Sequence, residues 1–344
     1  MKKIFAFMLV LTILLSLAAC GKRGSEQTPS GTDGTSNASQ EGGGETSSEA
    51  ISLPPISDMA RISTGRGGSD YVTVIQKDGT VLCDYREDGE TTKEKEKNNN
   101  ALKNIAAVLG ERYFLSDDGR FIIADGTAKG ETAFSGIIGG TPAAFHIIGI
   151  KPDGTVVIKR AQADAESYSQ LEGIEEWKDI VAVAGGYNAA VGLRKDGTVA
   201  TAGSNKFGQL DVADWTGIKQ LVVFDTYADL KKNAAIAYTL GVTTEGRVLI
   251  AGNTNYTAEI NALTEVEQIA VISTGYAALK KDGTVVVGSS LGDYASVKSW
   301  TDITAIAFGN DVLMGVKRDG SVLFAKNYAD REDKWPCTLD WKIK

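Results

Sequence analysis

From residue 51 onward, short runs of alternating apolar and polar residues come in pairs, and an acidic residue followed by glycine joins each pair. Alternation with a period of two is the mark of a half-buried strand. The joint is nearly verbatim in places: KDGTV at 77–81, 195–199 and 281–285, PDGTV at 152–156 and RDGSV at 318–322. The acids are Asp78, Asp118, Asp153, Asp196, Glu245, Asp282 and Asp319. Asp-Gly between extended runs predicts a two-residue hairpin turn, because glycine accepts the positive φ that such turns need. Three residues before these acids stand Ile75, Leu115, Ile150, Leu193, Val242, Leu279 and Val316. Three residues after them stand Val81, Phe121, Val156, Val199, Val248, Val285 and Val322. Those are the buried positions of two paired strands. Four residues before the acid the chain has Gly149, Gly192, Gly241, Ala278 and Gly315, with Val74 and Phe114 as the large exceptions. Small residues there predict strands near a crowded central axis.

A further strand precedes each hairpin, most clearly in Trp300 to Gly309, and similarly in Trp177 to Gly185, Trp215 to Val222, Val266 to Ile272 and Ile56 to Gly65. Long helical periodicity is missing. Seven all-strand units, with acids 35 to 49 residues apart, predict an all-β, seven-bladed propeller over 51–344. The partial units at the two ends add to about one, so one blade is expected to share strands from both termini. Ring closure would leave few exposed sheet edges.

The stretch AGGYNAAVGLRKDGTVATAGSNKFGQL, Ala184 to Leu210, carries a family resemblance. Its Gly203-Ser204-Asn205-Lys206-Phe207-Gly208-Gln209-Leu210 resembles the G-x-N-x-x-G-Q-L ending of the regulator of chromosome condensation repeat. His146, seven residues before Asp153, falls where that family often places a histidine. The other units have lost most of the ending, with Gly252-Asn253 as a remnant, and Ala202 stands where the family has tryptophan. The resemblance covers Ile51 to Lys344. It implies a seven-bladed propeller of RCC1-like repeats and protein–protein contact through one propeller face.

The first nineteen residues read differently. Lys2 and Lys3 precede an apolar run from Ile4 to Leu15 that is too short to span a bilayer and has the form of a signal peptide. It ends in Leu17-Ala18-Ala19-Cys20, which resembles a bacterial lipobox. Residues 1–19 are therefore expected to be a lipoprotein signal peptide, with Cys20 becoming the lipidated first residue. Several acyl chains there, palmitate among them, would anchor stably where one would not. Gly21 to Ala50 has no large apolar residue and is rich in Gly, Ser, Thr and Glu. Residues 20–50 are expected to be a disordered tether, spanning roughly 30 Å root-mean-square. The expected location is the bacterial cell envelope, lipid-anchored and extracytoplasmic, as a monomer. A formal charge of −8 argues against a nucleic-acid partner and against charge-driven docking on anionic lipid.

Candidate chemistry is sparse. Cys83 and Cys337 lie in the first and last units, which a ring makes neighbours. They are either a disulfide that clamps the closure or two buried thiols. One histidine leaves no close His or Cys pair for zinc, and His146 in its alternating apolar stretch reads as structural. No metal, cofactor or catalytic residue is expected. Glu175-Glu176 reads as solvated surface, as does the charge run Thr92 to Asn100. The loop Asp225 to Asn233 holds Tyr227 and Leu230 among charges and is the better partner-binding candidate. The leading function is an anchored binding module that presents propeller loops to a protein or envelope glycan partner. The alternative is an envelope glycan- or peptide-acting enzyme with a carboxylate pair in the central cleft.

Overall fold

The structure is a computed structural model that describes residues 58–66, 70–85, 90–110, 112–124, 130–143, 146–160, 171–225, 236–272, 275–289, 294–309, 312–326 and 341–343. Seven antiparallel sheets follow one another along the chain. Blade one is β1 (Ile62–Arg66), β2 (Asp70–Ile75) and β3 (Val81–Tyr85). Blade two is β4 (Ile105–Gly110), β5 (Tyr113–Ser116), β6 (Arg120–Ile123) and β7 (Glu131–Ser135). Blade three is β8 (Gly139–Ala143), β9 (His146–Ile150) and β10 (Val156–Arg160). Blade four is β11 (Ile180–Gly185), β12 (Ala189–Arg194) and β13 (Val199–Gly203). Blade five is β14 (Ile218–Asp225), β15 (Ala237–Thr243) and β16 (Val248–Asn253). Blade six is β17 (Val266–Ile272), β18 (Gly275–Lys280) and β19 (Val285–Ser289). Blade seven is β20 (Ile303–Phe308), β21 (Val312–Lys317) and β22 (Val322–Lys326). The first strand of each blade packs on the first strands of its neighbours, from β1 to β4 and onward to β20, which returns to β1. The molecule is a closed seven-bladed propeller.

Each blade turns back at its acid-glycine joint, but not by a two-residue loop. In blade one Gln76 N–H donates to Thr80 O at 2.8 Å and Gly79 N–H donates to Gln76 O at 3.1 Å. The loop thus has three residues: a type I turn followed by a left-handed glycine. Only the glycine needs positive φ, from 78° at Gly119 to 91° at Gly246 across the seven turns. The acid has a different task. The carboxylates of Asp78, Asp153, Asp196, Asp282 and Asp319 each accept the N–H two residues on at 2.9 Å. These bonds hold the turn carboxyls below their ordinary range; at Asp153, Asp196 and Asp282 the threonine hydroxyl is the larger cause and its N–H the next.

The turn glycine also joins blade to blade. Its carbonyl accepts the N–H of the residue that opens the next blade, or in blade three of the residue two before β8: Gly79 from Ile105, Gly119 from Ile137, Gly154 from Ile180, Gly197 from Ile218, Gly246 from Val266 and Gly283 from Ile303, at 2.9 to 3.2 Å. At the seventh turn Gly320 accepts from Ile343 at 2.8 Å. β1 begins too late to supply this group, and the chain's C-terminal residues supply it instead. Lys342 forms a single bridge with Ser321. The expected blade with strands from both termini is not seen among the described residues: there blades one and seven each use consecutive strands, and residues 341–343 close the seam between them.

The hydrophobic core is seven wedges, one between each pair of neighbouring blades. Three residues before the opening residue stand Trp177, Trp215 and Trp300, each filling a wedge. This explains the small residues four before the acid, and the cause is not the central axis. A Cβ at Gly192 would lie 2.7 Å from the Trp177 ring, one at Gly241 2.7 Å from Trp215, and one at Gly315 2.6 Å from Trp300. Blade six carries the complementary pair, with Leu263 in the tryptophan place and Ala278 in the glycine place, both in one wedge.

The charge run at 92–100 is not a solvated loop. It lies in helix α1 (Glu90–Ala101), whose helical spacing no apolar stripe announces. Its anchor is a pair of asparagines. The Asn100 carboxamide accepts Cys83 N–H at 2.7 Å and donates to Cys83 O at 3.1 Å, as a neighbouring strand would. Asn99 is buried and donates to the Tyr85 hydroxyl at 3.3 Å.

Two outcomes follow. Gly192→Ala should cost about 1–3 kcal/mol by overpacking, measured as chemical denaturation of the full chain. The double variant Gly192→Ala with Trp177→Leu reproduces the blade-six pair and should recover part of that loss; equal or greater loss would overturn the account. The turn carboxyls titrate below their ordinary value of about 3.9, so their stabilisation is present above it and lost as pH falls through the depressed folded values. The thermal midpoint should therefore drop as pH falls below about 4, and Asp196→Asn should shrink that drop.

Candidate functional site

Because first strands run away from the turns, the links between first and second strands gather at the opposite end of the ring. Between blades four and five this loop end is built in detail. The link from β11 to β12 is Gly186-Tyr187-Asn188, closed by Gly186 N–H on Ala189 O at 2.8 Å. Asp225, the last residue of β14, reaches across from blade five. Its carboxylate accepts the N–H groups of Tyr187 and of Asn188, the latter at 2.8 Å. Asp225 is 5% exposed, and burial pushes its carboxyl above the usual range despite the two N–H bonds, which pull it down. A side chain at Gly186 would collide with this carboxylate. Asp225 is thus a clamp between blades, outside the contact role expected of the 225–233 loop. Tyr227 and Leu230 lie outside the described residues.

Beside this link runs the motif at 203–210. Gly203 turns with φ 100° and Gly208 with φ 75°. Asn205 accepts Leu210 N–H at 2.8 Å and donates to Asp211 at 2.7 Å. Gln209 accepts Phe207 N–H at 2.9 Å and donates to Ser204 O at 2.8 Å. The motif's amides are spent on folding its own loop. Lys206 is exposed, and its Nζ lies 5.5 Å from the centroid of the half-exposed Phe207 ring. Ser204 N–H donates to Asn188 O at 2.7 Å, which joins this loop to the first. On the other side lies Gly252, whose Cβ would stand 3.1 Å from Gln209 Cα. From Gly252 the chain runs through exposed Asn253 and Asn255 to half-exposed Tyr256, before helix α2 (Thr257–Asn261). Three loops from two blades therefore make one surface. Sequence reasoning found the motif; the Asp225 clamp has no signal beyond one acid in a mixed loop.

The centre of the ring offers different chemistry. At the turn end Lys219 and Glu267 form an ion pair at 2.6 Å. One residue on, the buried Gln220 carboxamide accepts Ile269 N–H at 2.9 Å and donates to Ile269 O at 3.0 Å. Gln268 does the same to Ile306, at 2.9 and 2.6 Å. The carboxylates of the described first strands, Asp225 and Glu267, sit at opposite ends of the ring, about 20 Å apart at the rise of an extended strand. The close pair that a glycosidase needs is not assembled from them.

The remaining candidates are placed as follows. His146 is half-buried and faces Arg160 across the β9–β10 ladder; burial and then the Arg160 charge lower its pKa. Glu175 and Glu176 are exposed on a short 3₁₀ turn. Cys83 is a buried free thiol, pushed up to about 12 by burial. Its sulfur accepts from Thr73 at 3.3 Å and Asn99 at 3.7 Å. Cys337, its expected alternative partner, and Cys20 lie outside the described residues. Among the described residues no group of three His, Cys, Asp or Glu side chains is placed to hold a metal ion.

Residues 180–209, which are blade four and its motif loop, match the model of the regulator of chromosome condensation (RCC1) repeat. Comparison with curated proteins gives no match. Among solved structures, yeast RCC1 (Prp20) in complex with Kap60 is similar at 12% identity and a TM-score of 0.43, covering 86% of this chain and 78% of that one. The CRINKLY WD40 ectodomain of the Arabidopsis thaliana receptor kinase ACR4 is similar at 13% identity and a TM-score of 0.37, covering 79% and 96%. The computationally designed Ika8 protein is similar at 16% identity and a TM-score of 0.40, covering 81% and 86%. With seven antiparallel sheets closed into a ring and the repeat matched in blade four, the chain is a seven-bladed β-propeller that carries an RCC1-type repeat at residues 180–209.

Proposed function

We propose that this chain is a membrane-anchored, extracytoplasmic scaffold that binds a protein partner through the loop end of its propeller. The observation that carries the binding role is the division of the ring. At the turn end, every blade spends its polar backbone groups on the same internal bonds. At the loop end, blade-specific segments stand on that rigid frame, which is where binding residues gather on such scaffolds. The anchor is supported by the sequence: a short apolar leader, Cys20 after Leu17-Ala18-Ala19, and a Gly/Ser/Thr-rich stretch before the ring. Prp20p from Saccharomyces cerevisiae binds Gsp1p and histones. Here the partner is an envelope protein, since the leader directs the chain outward.

Envelope fractionation tests the anchor. Wild-type full chain should sediment with membranes, and Cys20→Ser should leave the chain unlipidated and at least tenfold depleted from them. A variant as tightly bound as wild type would sink the anchor. Reversible crosslinking in intact cells, followed by purification of the full chain, tests the binding role. Recovery of the chain without a stoichiometric protein would sink it.

A further inference from the structure

We infer that the three loops at 186–188, 204–210 and 252–256 form a preorganised protein-docking surface, turned away from the tether and suited to a polar partner face. This rests on the protein-binding reading above and adds which face is used and what it recognises.

The loop chemistry is the first argument. The three segments read GYN, SNKFGQL and GNTNY. Surfaces that recognise proteins through loops on a β scaffold favour this mixture. Tyrosine gives rigid amphipathic contact at small entropic cost, and glycine, serine and asparagine give close approach and adaptable hydrogen bonds. Tyr187, Phe207 and Tyr256 are half-exposed, with Lys206 and Asn253 open to solvent between them.

The loops are also fixed before any partner arrives. Asp225 holds the Tyr187 and Asn188 amides, Gln209 and Asn205 hold the middle loop, and Ser204 joins it to Asn188. A surface ordered in advance loses less entropy on binding. No greasy patch competes for the role: the one exposed large hydrophobic among the described residues is Val286, 41% exposed, on the outer strand of blade six.

Chain direction supplies the last argument. The chain enters the ring at Asp58–Arg61, where Arg61 donates to Gln76 O in the blade-one turn. An anchor joined to the chain there would leave the loop end facing away from the membrane.

The test is site-specific photocrosslinking in cells that natively make the full chain. A photoreactive amino acid replaces Lys206 or Asn253 at the loop end, and Lys195 or Lys281 at the turn end; all four are exposed. Light should give a protease-sensitive adduct of discrete mass from 206 and 253 and none from 195 or 281. Phe207→Ala should lower the yield at 253 at least about fivefold, as loss of an interface anchor does, with the circular dichroism spectrum unchanged. Adducts from the turn end alone would overturn this inference and leave the protein-binding reading intact. An adduct at 206 or 253 that resists protease and yields to glycan hydrolases would overturn it in favour of a glycan ligand. No protein adduct from any position would overturn both.

Discussion

One hydrogen bond organises the ring: the carbonyl of each turn glycine accepts an N–H from the start of the next blade, or at the seventh turn from Ile343. Each such bond satisfies a buried donor that would otherwise cost about 1–3 kcal/mol. Its weight is geometric as much as energetic. The glycine must be left-handed to point its carbonyl outward, so a three-residue turn is needed, and the aspartate braces it by accepting the N–H two residues on. The opening residue must arrive at a fixed height and angle, so the residue before it is driven to positive φ, as at Asn104, Asp179, Glu265 and Asp302. Asp179 O and Asp302 O then accept Lys195 N–H and Arg318 N–H from the following turn, at 2.8 and 2.9 Å. The bond therefore propagates from blade to blade, and wedge packing follows once spacing is set.

This account separates what was legible in the sequence from what was not. Acid-glycine joints with apolar residues three before and three after are local signals, and they located every hairpin. Small residues at the fourth place were legible as a pattern but not as a cause. Their partner tryptophan stands far along the chain, fifteen residues before Gly192, and only packing brings Trp177 against it. Carboxamides were illegible for the same reason. Nothing local marks Asn100 as a substitute strand for β3, or Gln220 and Gln268 as bridges to the next blade, because their acceptors belong to other elements. The motif at 203–210 was visible, yet its Asn205 and Gln209 build their own loop instead of reaching a ligand.

The two ends of the propeller obey different constraints. At the turn end geometry is repeated sevenfold, so variation there threatens the shared bond and the residues stay alike. At the loop end less is shared among the described residues, although the link bond from Gly186 N–H to Ala189 O returns from Gly309 N–H to Val312 O, and blades differ at their edges: blade two adds β7, blade one lays α1 on β3, and blade five sends Asp225 into blade four. Buried carboxylates without a cation are costly, and Asp225 is tolerated because two backbone N–H groups aim at it. A cost carried at one position, in the loops where amides and aromatic rings also gather, fits a surface under a demand other than stability.

Closure sharpens the same point. A ring of seven identical joints needs a donor for its last glycine, and β1 starts too far along to offer one. Ile343 supplies the N–H, packs into the wedge with Ile62 and Val316, and brings Lys342 alongside Asp319 at 3.8 Å. Ends held together convert a linear array, in which terminal blades fray, into a structure where opening any one joint strains the rest. Such stiffness is what holds the loop surface in one arrangement. The described ends of the chain both lie at the turn end, so closure occupies one side of the ring.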